Sequence, residues 1–135
     1  MMTAVAVDRF GAEPRVQKVP VPMPSPGEIR VRLRSASLNP VDWNIANGLA
    51  KDIAPHVFPL IPGYDGAGVV DSLGPGCKRF HLGDDVIGLF LSIPFGRGTY
   101  AEYVVVPESD PVIRIPKGID PVDSAAVPTA GTTAL

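Results

Sequence analysis

The sequence holds one cysteine, two histidines and one tryptophan in 135 residues, and it has no long apolar run. A single thiol, Cys77, cannot close an internal disulfide, which points to a reducing compartment; we expect the cytoplasm. No stretch approaches the 18 or so apolar residues of a membrane helix. The first ten residues lack the basic start and apolar core of a signal peptide. Basic charge is not in excess either. Twelve Lys and Arg stand against fourteen Asp and Glu, a net charge of -2, which argues against nucleic acid or an anionic membrane as partner.

Pro and Gly are plentiful, at 16 and 14 residues, and scattered between apolar runs, the mark of short strands joined by turns. Hydrophobic residues make up 45% and charged ones 19%, so the chain has material for one packed domain and is not a disordered segment. Strands are expected at 3–7, 16–21, 28–38, 66–73, 85–91, 99–106 and 112–115. The clearest is 28–38, where Ile29, Val31 and Leu33 alternate with Arg30, Arg32 and Arg34, giving one buried and one solvated face. Asn39-Pro40 reads as a helix start, with a short helix over 40–47 closed by Gly48. Helices also begin at Asp120–Ala126 and Gly131–Leu135. The order is mainly β with a few short helices, a partly open barrel or sandwich rather than alternating βαβ units.

Five separated segments carry a family resemblance: Leu38–Trp43, Pro62–Val70, Gly83–Val86, Gly98–Tyr103, and Ala125–Pro128 with Gly131–Leu135. In order and spacing they resemble the N-terminal GroES-like domain of the medium-chain dehydrogenase/reductase superfamily, nearest its quinone oxidoreductase branch. The resemblance implies a GroES-like substrate-side domain over 1–124 and, over 125–135, the start of a connection to a dinucleotide-binding (Rossmann) domain absent from this chain. Gly63, Gly66 and Gly68 either turn a tight barrel corner or admit close approach of another backbone or a ligand, and the two roles are compatible.

In zinc-containing members the resemblance implies cysteine at position 39, histidine at 64 and a second cysteine near 126. Asn39, Tyr64 and Ala126 stand there instead, so no metal is expected. Cys77 and His81 have a helical metal spacing, but Gly74-Pro75-Gly76 before them argues for a loop. Without zinc, a carbonyl must be polarised by hydrogen-bond donors. The resemblance offers Asn39 and Tyr64 as catalytic residues, with Trp43, Asp42 and Asp65 on the substrate side. It places Asn39 and Thr133 near the nicotinamide end of NADPH. Each has a plainer role open to it: a helix cap for Asn39, packing for Tyr64 and Trp43, a helix-dipole partner for Asp42, helix filler for Thr133.

Gly96-Arg97-Gly98-Thr99-Tyr100-Ala101 has the letters of a dinucleotide turn, but the strand-like Glu102–Val106 follows it where a helix is required. The expectation is therefore a substrate-side domain of a zinc-independent, NADPH-dependent reductase of quinones, enones or related carbonyls, inactive alone and homodimeric at full length. Gly48-Leu49-Ala50 departs from the mitochondrial-type enoyl thioester reductases, which carry a tyrosine there. A free-standing GroES-like binding or assembly module is the alternative. The apolar end, Ala125–Leu135, is expected to be sticky or disordered by itself.

Overall fold

The structure, a computed structural model, describes residues 1–90 and 92–128. Strand β1 (Met2–Ala6) pairs antiparallel with β2 (Arg15–Val19). The main sheet has five antiparallel strands in the order β8-β3-β5-β6-β9, built from β3 (Glu28–Ala36), β5 (Asp65–Leu73), β6 (Asp85–Leu89), β8 (Tyr103–Pro107) and β9 (Val112–Arg114). A third pair, β4 (His56–Ile61) with β7 (Phe95–Arg97), runs parallel. Helices are short: α1 (Pro40–Ala46) and α2 (Pro121–Ser124), the latter capped by Asp120, whose side chain accepts the Val122 N–H. The sheet does not close, so a mainly β, partly open architecture is what the pattern predicts and what is found.

The core lies along the sheet, where Ile29 and Val31 of β3 meet Val70, Val86, Phe90, Val104, Val106 and Val112. The alternation read in β3 places its aliphatic residues inward as expected. Its arginine row is not uniformly solvated, however. Arg30 is half-buried, its guanidinium paired with Asp71 through bonds of 2.8 and 3.2 Å and lying 5.2 Å from the Tyr103 ring centre. Only Arg32 and Arg34 face water freely.

Strands β4 and β7 escape the sequence pattern, because Pro59 and Gly96 interrupt any alternation. Gly96 earns its place by contact: a Cβ there would overlap the Val57 carbonyl across the parallel pair. The strand expected over 99–106 begins only at Tyr103. Before it, the N–H groups of Gly98, Thr99 and Tyr100 bond to the carbonyls of Ile61, Gly63 and Pro62, which ties this segment to the entry of β5.

Gly63 has φ +97°, and a Cβ on it would stand 2.5 Å from Thr99 Oγ1. Gly68 would drive a Cβ into the Arg32 backbone. Both glycines therefore admit close approach of the chain's own atoms, and Gly63, at positive φ, also turns the chain.

Candidate active site

Three elements converge at one end of the sheet: the end of β3 with the start of α1, the start of β5, and the Gly98–Ala101 connection into β8. Asn39 is the N-cap residue of α1, extended at φ -134° and ψ 150°, with Pro40 at the first helical position. Asp42, at the third, turns back so that its Oδ2 accepts the Asn39 N–H at 2.8 Å, the reciprocal arm of a capping box. The same oxygen accepts the Tyr100 hydroxyl at 2.5 Å. Asp42 is 0% exposed, and its Oδ1 has no hydrogen-bond partner among the described residues.

Asp65 is also 0% exposed. Its Oδ2 accepts the Ser37 hydroxyl at 3.0 Å and the Asn39 amide nitrogen at 3.1 Å. A carboxylate only accepts, so it selects the NH₂ side of the amide. One N–H of Asn39 is thereby held by Asp65, and the other has no partner among the described residues.

Burial raises the Asp42 carboxyl above its ordinary value; the Tyr100 and Asn39 bonds oppose this, and the charge of Asp65 adds to it. Tyr64 is raised too, first by burial and then by the charge of Asp42, so it stays a phenol. Tyr100 is raised by burial, by its bond to Asp42, and by the charges of Asp42 and Asp65. Tyr64 is 3% exposed; its hydroxyl and that of Thr99 are enclosed and have no hydrogen-bond partner among the described residues. The Tyr64 ring meets Phe95 edge-on at 6.2 Å between ring centres.

The residues chosen by sequence thus fall together. Asn39, Asp42 and Asp65 share one hydrogen-bonded chain, and Tyr64 lies within the electrostatic reach of Asp42. Trp43 is 36% exposed and joins through Tyr100, 6.1 Å between ring centres. It is therefore not a core residue. Thr133 and the second predicted C-terminal helix lie outside the described residues. Ala125 is buried, whereas Val127 is 57% exposed. Tyr100 and Ser37 are what sequence reasoning missed. The signal for Tyr100 was indirect: a buried Asp at a helix start needs a donor from elsewhere in the chain.

Among the described residues, no three His, Cys, Asp or Glu side chains are grouped to hold a metal ion. Cys77 and His81 lie on the loop between β5 and β6. The Cys77 thiol donates to the Glu28 carbonyl, and the His81 side chain is 80% exposed. No helix of the described residues is long and apolar enough to cross a membrane.

Residues 25–117 match the alcohol dehydrogenase GroES-like domain. The chain is 42% identical, over 87% of its length, to a chloroplast envelope quinone oxidoreductase homolog of Arabidopsis thaliana. It is 39% identical, over 99% of its length, to the chloroplastic quinone-oxidoreductase QR1 of Triphysaria versicolor. It spans only 35% and 41% of those two relatives. Among solved structures, the quinone oxidoreductase of Coxiella burnetii superposes with a TM-score of 0.83 at 30% identity, covering 98% of this chain and 43% of that one. The chain belongs to the GroES-like domain family of the alcohol dehydrogenases, the N-terminal domain of the medium-chain dehydrogenase/reductase superfamily, and its relatives include quinone oxidoreductases.

Proposed function

We propose that this chain is the substrate-side domain of a zinc-independent, NADPH-dependent oxidoreductase that reduces a quinone, enone or related carbonyl acceptor. The observation that carries the reading is Asn39. Its amide is oriented by the buried Asp65, itself bonded to Ser37, while its backbone N–H is fixed by Asp42. That leaves one pre-oriented N–H donor at a partly exposed position. Such a donor stabilises negative charge developing on an acceptor oxygen without reorganising at the moment of reaction. Tyr64 is the second donor and the proton source. Its buried hydroxyl has no hydrogen-bond partner among the described residues, a state that costs about 1–3 kcal/mol and leaves its proton uncommitted.

The residues at hand do not fit the pyrophosphate of NADPH. Gly96-Arg97-Gly98 leads into extended chain, and Cβ atoms on either glycine would strike the carbonyls of Val57 and Pro62, so these glycines serve backbone packing rather than a strand-turn-helix phosphate seat. In this reading the cofactor is held mostly by a dinucleotide-binding domain outside these 135 residues. Thr133, with Asn39, is assigned to its nicotinamide end, Trp43 to a wall for a flat acceptor, and the full-length protein to a homodimer. Asn39, Tyr64 and Ala126 at the zinc-ligand positions support a metal-free mechanism. The lone thiol supports a reducing compartment, for which we retain the cytoplasm; the chloroplast location belongs to the relatives named for it.

The test is made in a protein joining these residues to a dinucleotide-binding domain. Asn39→Ala and Tyr64→Phe should each lower kcat/KM for a quinone by about 10²-fold. Unchanged turnover in either variant would remove that residue from the mechanism.

A further inference from the structure

A cavity of about 390 Å³ lies apart from the cluster just described, and none of Asn39, Asp42, Trp43, Tyr64, Asp65 or Tyr100 lines it. The strand β4 explains the separation. Its residues point alternately to two sides. His56 and Phe58 pack against the Phe10 ring, at 4.9 and 5.1 Å between centres, and Leu60 packs with Val7 and Ala46. Val57, Pro59 and Ile61, the other set, line the cavity together with Val19 and Tyr103.

The polar groups at this cavity are few and unequal. Glu28 is the one acid lining it, and its carboxylate is held by the Ser25 N–H at 2.9 Å. Arg97, also lining it, is exposed, and its guanidinium makes no hydrogen bond or ion pair with any described residue. A cation without a counter-charge at the edge of an apolar hollow complements a molecule with an apolar body and one anionic end. The volume lies within the range of small-molecule sites, roughly 300–1,000 Å³. Pro20 and Pro22 in its lining have no N–H to offer an added strand, which disfavours an extended peptide.

We propose that this cavity binds a small apolar carboxylate, with its tail against Val57, Pro59 and Ile61 and its carboxylate at Arg97. The site is independent of the redox reading and uses none of its residues.

The test is titration of the 135-residue chain with decanoate, and with decanol as the uncharged control, followed by amide NMR and calorimetry. Decanoate should bind saturably at one site, shifting the amides of Val57, Ile61, Gly96 and Tyr103 and leaving those of Asn39 and Tyr100 in place. Arg97→Gln should weaken decanoate about tenfold or more, the loss of one charge-assisted contact, and leave decanol unaffected. Val57→Trp should fill the hollow and abolish binding of both. If that variant melts early by circular dichroism, the exposed Arg97→Gln change and the decanol control decide the matter. Absence of saturable binding, shifts centred elsewhere, or equal decanoate affinity in Arg97→Gln would overturn the proposal.

Discussion

Asp42 holds two jobs on one oxygen. Its Oδ2 fixes the first turn of α1 through the Asn39 N–H and receives the Tyr100 hydroxyl, while Oδ1 has no partner among the described residues. Removing the Tyr100 hydroxyl leaves a fully buried carboxyl with a single donor. Tyr100→Phe should therefore destabilise the chain by about 1–3 kcal/mol in urea unfolding, and should push the Asp42 carboxyl further up, since the Tyr100 bond now lowers it. Wild-type stability in that variant would show that the bond contributes nothing net. The contrast with Asn39 explains what could be read from sequence. Asn39, Asp42 and Asp65 were legible because the family resemblance assigns their positions to the site, whereas it gives Tyr100, inside the Gly98–Tyr103 segment, no role. Tyr100 lies 58 positions from its partner, and nothing local marks a tyrosine in a loop as the donor to a distant helix start.

At the scale of elements, strands with clean alternation were legible and strands built on exceptions were not. In β3, Ile29 and Val31 announce a buried face. In β4, Pro59 breaks the pattern, and in β7 Gly96 is required by the close approach of Val57, a contact visible only in three dimensions. The loop joining β5 to β6 shows how such elements are fastened. Asp84 accepts the His81 N–H at 2.9 Å and Arg114 Nε of β9 at 3.1 Å. The His81 N–H bond, assisted by Arg114, holds its carboxyl below the ordinary value against the opposing effect of burial. A lowered carboxyl binds fewer protons in the folded state than in the unfolded one. Its contribution is thus complete above about pH 4 and is lost as the pH falls further. Asp84→Asn should cost up to about 1 kcal/mol at pH 7 and flatten the fall of Tm between about pH 4 and pH 2. Parallel acid-side Tm profiles for the two proteins would refute the assignment.

For the molecule as a whole, the question is what these residues can do unaided. The polar cluster is assembled from α1, β5 and the approach to β8, all within the chain, so the described residues assigned above to the acceptor side of the proposed reaction lie together in it. A seat for pyrophosphate is a different structure, a glycine turn delivering N–H groups at the start of a helix that follows a parallel strand. The two described helices do not meet that need. Helix α1 begins at Pro40, with the buried Asp42 carboxylate turned back on its first turn, and α2 is a single turn with Asp120 already bonded at its start. Two carboxylates at these positions would repel a diphosphate rather than hold it. The chain is accordingly expected to bind NADPH no more tightly than about 1 mM, a level of about -4 kcal/mol that a few incidental contacts supply. Titration followed by nicotinamide fluorescence or calorimetry reads this directly. Saturable binding in the micromolar range would place a nucleotide site within these residues and would make the chain more than the acceptor-side half of the proposed enzyme.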